Sequence, residues 1–203
     1  MTRDPEHRTS KIDTVVVGAS AGGVGALREL LGAFDARCPA TLFIVLHLAE
    51  RTPSVLPSVL ASATGLVLRV AVDGEPFARG HAFVAPPAKH LTISRRQMHL
   101  GDEPPLDHHR PSVDVLFRSA ARAGRAHVAS VVLSGTGDDG AEGTLAIRAA
   151  GGMTLAQDPA SAEFAGMPET AIATGAVLFV GRPSALGERL RALLERDFSS
   201  DSR

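Results

Sequence analysis

The chain is 203 residues long, 44% hydrophobic and 21% charged, a composition that excludes disorder and membrane-spanning helices and suits one generous domain. Its 21 basic and 22 acidic residues give a formal charge of −1 with no basic block, and eight Phe without Trp or Tyr offer few stacking platforms, which together argue against a nucleic-acid partner. A single cysteine, Cys38, excludes an internal disulfide framework and any multi-thiolate metal site within the chain.

Met1–Lys11 is polar, lacks the apolar core of a secretion signal, and reads as a loose tail. Val15-Val16-Val17 is a continuously apolar strand ending at Gly18, the pattern of a strand buried on both faces of a parallel sheet. The Gly22-Gly23 turn leads into a helix in which Leu27, Leu30, Leu31 and Phe34 recur at helical spacing. Thr41–Leu46 is the second strand and stops at His47. A helix opens at Pro53-Ser54 and runs through Leu60, Gly65 stops it, and Leu66–Val72 is the third strand. Over 73–100, Asp-Gly, Arg-Gly and Pro-Pro breaks separate short alternating pieces and predict hairpins inserted against the sheet's edge. Beyond the proline-rich loop Asp102–Pro111, Ser112 caps a helix with Val113, Leu116, Phe117 and Ala120 on one face. Val128–Leu133 is a further buried strand, followed by the turn Ser134–Gly140 and a helix to Ala150. Met153–Ala156 and Val177–Val180 are the last strands, and Pro183–Asp197 the last helix. The alternation predicts an α/β fold: a doubly wound, mainly parallel sheet flanked by helices, with an inserted β-hairpin region near 73–100. The expected organisation is one domain over 12–197 between tails at 1–11 and 198–203.

In open α/β sheets, sites form outside the carboxyl ends of the strands. Ser20, His47 and Asp139 all fall there, and on neighbouring strands they would supply a nucleophile, its base and the base's orienter. Gly18-Ala19-Ser20-Ala21-Gly22 has the G-x-S-x-G form of a strand-to-helix nucleophile turn, with unpaired amides at Ala21, Gly22 and Gly23 placed to hold an oxyanion. Each residue also has a plainer role. Ser20 can cap the first helix, His47 can be a hydrogen-bonded structural histidine, and Asp139-x-x-Glu142 matches an N-cap with its capping-box partner. A dinucleotide site fits poorly, because Ser20 replaces the second glycine of G-x-G-x-x-G and the second strand ends in His47 rather than an acid. No Walker lysine follows. The other histidines (7, 81, 90, 99, 108, 109 and 127) lack ligand spacing, and adjacent His108 and His109 diverge, so nothing specific supports a metal hydrolase built on them with Asp138 and Asp139. Cys38 is most simply a small apolar filler.

Five blocks then stand in order: Val16-Val17-Gly18-Ala19-Ser20-Ala21-Gly22-Gly23; Leu46-His47; His109-Arg110-Pro111-Ser112-Val113-Asp114-Val115-Leu116-Phe117; Leu133 through Gly140; and Phe164-Ala165-Gly166-Met167-Pro168. Together they resemble the catalytic domain of the bacterial chemotaxis receptor methylesterase (CheB-type, protein-glutamate methylesterase), from Val15 to Leu194. The resemblance implies hydrolysis of γ-glutamyl methyl esters on chemoreceptor cytoplasmic helices with release of methanol, and in many members deamidation of receptor glutamines. It implies Ser20, His47 and Asp139 as catalytic residues, oxyanion support from backbone amides of Ala21 and Thr136, and neither metal nor organic cofactor. Arg110 is expected to position the receptor helix, against the alternative of an i,i+4 pair with Asp114. The turn Gly135-Thr136-Gly137-Asp138-Asp139-Gly140 departs from the family's common Gly-Met-Gly-Asn-Asp-Gly, placing a second charge beside the triad acid. Family members usually carry an N-terminal receiver domain. Here a short tail precedes the first strand, so the expectation is a stand-alone catalytic domain, cytoplasmic, not membrane-inserted, with methylated chemoreceptors as substrate and any receiver or signalling partner acting in trans. Two other readings stand beside it: a non-catalytic receptor-binding module of the same fold, and a small-molecule carboxylesterase. The complete Ser, His and Asp set weighs against the first, and the lack of an insertion that would form a lid or deep acyl pocket against the second.

Overall fold

The continuously apolar runs become the middle of one sheet. The computed structural model describes residues 12–47, 56–124 and 127–199. In chain order the elements are β1 (Thr14–Ala19), α1 (Gly23–Leu31), β2 (Thr41–Leu46), α2 (Leu56–Ala61), β3 (Val67–Val70), β4 (His81–Val84), β5 (His90–Ile93), β6 (Met98–Gly101), α3 (Val113–Gly124), β7 (Val128–Val132), α4 (Ala141–Ala149), β8 (Met153–Gln157), α5 (Gly166–Ala173), β9 (Phe179–Gly181) and α6 (Pro183–Ser199). Seven strands pair in the order β3-β4-β2-β1-β7-β8-β9, every pair parallel. β1, β2 and β7 are buried at every position, which is why their sequences run apolar without alternation.

The two faces are covered by different elements. On one, Val15, Val17, Leu42 and Ile44 meet Leu27, Leu30 and Leu31 of α1 and Leu186 and Leu190 of α6. On the other, Val16, Phe43 and Phe83 meet Leu116 and Phe117 of α3 and Leu91 and Met98 of β5 and β6. Burying this much apolar side-chain surface, at about 1.5–3 kcal/mol per large residue, is the main force holding the layers together.

Within the stretch expected to form hairpins, β5 and β6 do pair antiparallel as a separate ribbon, and it covers a face of the sheet rather than extending its edge. The piece at 81–84 behaves differently: it enters the main sheet as β4, between β3 and β2, because Ala82, Phe83 and Val84 are buried and fill both cores. Helix α5 is not announced by apolar spacing. It is a short run of small residues beginning at Gly166, with Pro168 in its first turn, where the missing N–H costs nothing. The expected tail at 1–11 and the helix start at Pro53-Ser54 lie outside the described residues. Of the expected carboxyl tail, 198 and 199 continue α6, and 200–203 lie outside the described residues.

Candidate active site

The chain runs outward from β1 through β2 to the β3 edge, then returns to the other side of β1 with β7. The connections therefore diverge at β1, the switch point at whose strand carboxyl ends an open α/β sheet places its site. In register, Ala19 faces Leu46 and Gly18 faces Val132. The ladder continues past the strands: His47 N–H donates to Ala19 O at 3.1 Å, Leu133 N–H to Gly18 O at 2.9 Å and Ser20 N–H to Ser134 O at 2.9 Å. Ser20 thus stands between His47 and the 134–140 turn, with strands spaced at about 4.8 Å.

The Ser20 turn is held from its neighbours. Ser134 Oγ donates to Ala21 O at 2.8 Å and accepts Phe164 N–H at 3.0 Å, while Gly135 N–H donates to Phe164 O and Met167 N–H to Gly135 O, both at 2.9 Å. A side chain at 135 would come within 2.8 Å of Ser20 Cβ and strike the Met167 thioether, so glycine there is what lets the two turns close. The expectation that Ser20 caps α1 is not met. The N-cap is Gly22, in the left-handed region at φ 71°, with no side-chain bond, and the Ser20 hydroxyl makes no hydrogen bond among the described residues. The backbone N–H groups of Ala21 and Thr136 also find no acceptor among the described residues.

Asp139 is 4% exposed and its two oxygens accept four hydrogen bonds. Oδ2 takes His47 Nε2–H at 2.9 Å and Val113 N–H at 2.8 Å, and Oδ1 takes the Ser112 hydroxyl at 3.0 Å and Asp114 N–H at 2.8 Å. The capping-box reading of Asp139-x-x-Glu142 is thereby corrected. The N-cap of α4 is Gly140, without a side-chain bond, and Asp139 closes the start of α3 instead, alongside the expected cap Ser112, whose Oγ accepts Val115 N–H at 3.3 Å. Burial alone would raise the Asp139 carboxyl, but the His47 hydrogen bond and the backbone N–H groups of Asp114 and Val113 outweigh it and hold Asp139 below the usual carboxylate range. Asp114 goes the other way. Burial, with the Asp139 charge nearby, pushes it up to about 6 despite the backbone bond from Gly143.

An ionised Asp139 can only accept, which assigns the shared hydrogen to Nε2; Nδ1 of His47 is then the nitrogen open to a proton, and it is buried without a hydrogen-bond partner among the described residues. This is the reverse of the protease arrangement, in which Nδ1 faces the carboxylate. No hydrogen bond joins Ser20 Oγ to His47 in this structure; such contacts often close only around substrate.

One residue of the site escapes the sequence analysis. His109 stacks on His47 with ring centroids 4.0 Å apart and planes within 4°. It is delivered by a tight turn in which Asp107 and His108 both have positive φ (47° and 69°) and Leu106 and His109 exchange backbone bonds of 3.2 and 2.8 Å. Left-handed backbone at two successive non-glycine residues is costly, of order 1–3 kcal/mol each, and such strain gathers at functional sites. Burial, then the neighbouring His47, lowers the His109 pKa below the usual histidine value, favouring a neutral ring. The adjacency of His108 and His109 argues against shared metal ligation, but adjacency says nothing of stacking across the fold.

Arg110 lies at the rim. Its Nη1 donates to the carbonyls of Asp102 and Glu103 at 3.4 and 3.3 Å. The alternative pair with Asp114 is not formed, since Asp114 faces α4 and lies 3.9 Å from Arg118. Cys38 sits in the core remote from these residues, and burial raises its thiol pKa, as suits a filler. Among the described residues no three His, Cys, Asp or Glu side chains gather as a metal-ligand group.

Comparison with known proteins supplies a context for this geometry. The family model described as CheB methylesterase matches residues 15–190. A protein-glutamate methylesterase/protein-glutamine glutaminase 1 of Geobacter metallireducens is 43% identical over 197 residues, which cover 94% of this chain and 54% of that protein. A protein of the same name from Burkholderia pseudomallei is 40% identical over 198 residues, covering 96% of this chain and 54% of its own. The chain spans about half the length of the curated relatives it matches. The crystal structure of the Thermotoga maritima CheB methylesterase catalytic domain aligns with a TM-score of 0.87 at 27% identity, covering 91% of this chain and 100% of that one.

Proposed function

The chain belongs to the CheB methylesterase family, and we propose that it hydrolyses γ-glutamyl methyl esters on chemoreceptor cytoplasmic helices, with Ser20, His47 and Asp139 as its catalytic residues. The observation that carries this is the largely buried Asp139–His47 pair beside a serine whose hydroxyl makes no hydrogen bond among the described residues. His47 Nδ1 takes the Ser20 Oγ proton as Oγ attacks the ester carbonyl, and Asp139 holds the imidazole by Nε2–H and stabilises its charged form. The oxyanion meets the N–H groups of Ala21 and Thr136, which have no acceptor among the described residues; in precedents one such donor is worth roughly 10²–10³ in rate. The C–O bond to the methoxy group breaks as His47 returns its proton, releasing methanol. Water then gives a proton to His47 and attacks the acyl carbon, freeing the glutamate carboxylate and restoring Ser20. The same steps on a glutamine amide release ammonia, the activity that the relatives' second name denotes. Beyond substrate and water these steps use only the chain's own groups, and a substrate on cytoplasmic helices means a cytoplasmic reaction. Arg110, fixed against the 102–103 carbonyls at the rim, is assigned to positioning the receptor helix.

The test is methanol release from methylated receptor by the purified chain, with Ser20→Ala as control. Release that stops in the variant supports the mechanism. Equal release from both refutes it, and no release from either favours a binding module.

A further inference from the structure

Asp114 is a carboxylate buried to 4% exposure for which the reaction above has no use. Keeping a charge out of water costs several kcal/mol unless its bonds offset the loss. Its elevated pKa says that here they offset it only in part, and its guanidinium neighbour Arg118 stands 3.9 Å away and is shared with Glu142.

Its contacts supply the reason for keeping it. Oδ1 accepts the N–H of Gly140 at 3.0 Å and of Gly143 at 2.6 Å. Gly140 follows Asp139 directly and is the N-cap of α4 at φ 106° with no side-chain cap of its own, so among the described residues Asp114 supplies the side-chain closure of that helix start. Space is reserved for it as well: a side chain at 143 would collide with Phe117 and come within 3.1 Å of Asp114 Oδ1. Asp139 returns the contact by accepting the N–H groups of Val113 and Asp114 at the start of α3. Each of the two helices is closed by the carboxylate belonging to the other's start, and the peptide that carries Asp139 is gripped from both sides.

We propose that Asp114 is a positioning residue of the esterase reaction, clamping the Asp139–Gly140 peptide so that Asp139 keeps its oxygen on His47 Nε2. This rests on the assignment of Ser20, His47 and Asp139 as the catalytic residues. Asn at 114 retains an oxygen for both amides, whereas Ala leaves them without an acceptor. Residues that orient a reacting group through a second hydrogen bond typically carry about 10- to 100-fold of activity. In the methanol-release assay Asp114→Ala is therefore expected to lower kcat at least tenfold with KM within about twofold, and Asp114→Asn to stay within about threefold of the parent. Amide exchange at Val113, which donates to Asp139, reads the same clamp without turnover: faster in Ala, unchanged in Asn. Full kcat in the alanine variant, a loss confined to KM, or an asparagine variant as slow as alanine would overturn the proposal. If the alanine variant does not fold, the asparagine variant decides, with retained kcat and Val113 protection supporting the clamp and loss of either overturning it. Should the parent release no more methanol than Ser20→Ala, it is the esterase reading that fails, and Val113 exchange then decides the clamp alone.

Discussion

Replacing Asp139 by Asn preserves volume while removing both the charge and one acceptor. The carboxylate takes four donors, two on each oxygen: His47 Nε2–H with Val113 N–H, and the Ser112 hydroxyl with Asp114 N–H. A side-chain amide has one oxygen, so in either orientation its NH2 group confronts two of those donors. With NH2 on the Oδ2 side the losses are Val113 N–H and His47, unless the imidazole inverts its tautomer and presents an acceptor. With NH2 on the Oδ1 side the Ser112 hydroxyl can turn and accept, but Asp114 N–H is stranded. At about 1.5–3 kcal/mol for each bond to a charged group, the fold loses on the order of 3 kcal/mol, well beyond the near-neutral swap expected for a simple Asp-to-Asn helix cap. Urea unfolding measures this. The loss also depends on pH in a fixed direction. Folding lowers the Asp139 pKa, so its stabilisation is present above the unfolded value near 4 and fades as pH falls through the lower folded value; the gap between parent and variant is widest near neutrality and narrows in acid. Turnover should fall steeply, because losing the charge frees His47 to adopt the wrong tautomer; the equivalent change in a serine protease cost about 10⁴. Asp138→Asn is the control: Asp138 is exposed, and among the described residues its hydrogen bonding is confined to its carbonyl, which accepts Ala141 N–H at 3.1 Å, so stability within about 0.5 kcal/mol and most of the activity are expected. An Asp139→Asn protein as stable and active as its parent would refute this account, and an inactive Asp138→Asn beside an active Asp139→Asn would move the triad by one residue.

His109→Phe should keep kcat within about threefold by preserving a ring on His47, whereas His109→Ala, losing a stacking contact of about 0.5–1.5 kcal/mol, should lower it two- to tenfold; equal kcat in both variants would deny the stack a role. Arg110→Ala should raise KM for receptor while leaving kcat near the parent's, and steady-state kinetics on methylated receptor separate the two. Folding raises the Asp114 pKa from near 4 to about 6, so its ionised form burdens the fold above pH 6 and is relieved below pH 4. Asp114→Asn should consequently match the parent at pH 4 and exceed it at pH 8 by up to about 3 kcal/mol in urea unfolding, from 1.36 kcal/mol per pKa unit.

The centre of the sheet was readable because β1, β2 and β7 are buried on both faces and leave no alternation to misread. Ser20, His47 and Asp139 were readable for a related reason: each ends or follows one of those strands, so locating the strands located the rim. What the sequence hid was long-range. His81–Val84 alternates like a hairpin piece, and only its partners β2 and β3 show it to be a sheet strand. The partner of Asp139 could not be read locally either, since Glu142 lies three residues on and the start of α3 twenty-six back. His109 reaches His47 through a backbone turn at Asp107 and His108 inside the loop read at 102–111, and the composition of that loop does not tell which side chain it delivers to His47. Helix α5 is too short and too rich in small residues for a periodic pattern.

The three residues proposed as catalytic are anchored very unequally, and this yields a last expectation. Asp139 spends all of its bonding capacity on the fold, and His47 one ring nitrogen. Ser20 spends only its backbone: N–H to Ser134 O, and O from Gly23 N–H, both at 2.9 Å. Its hydroxyl neither caps α1 nor bonds elsewhere among the described residues, and alanine keeps the Cβ that packs beside Gly135. Ser20→Ala therefore removes the proposed nucleophile and almost nothing else, and its stability from urea unfolding should lie within about 0.5 kcal/mol of the parent. A loss above about 1 kcal/mol, the usual cost of deleting a helix cap, would show the hydroxyl engaged in the fold and return Ser20 to the structural role that the geometry denies it.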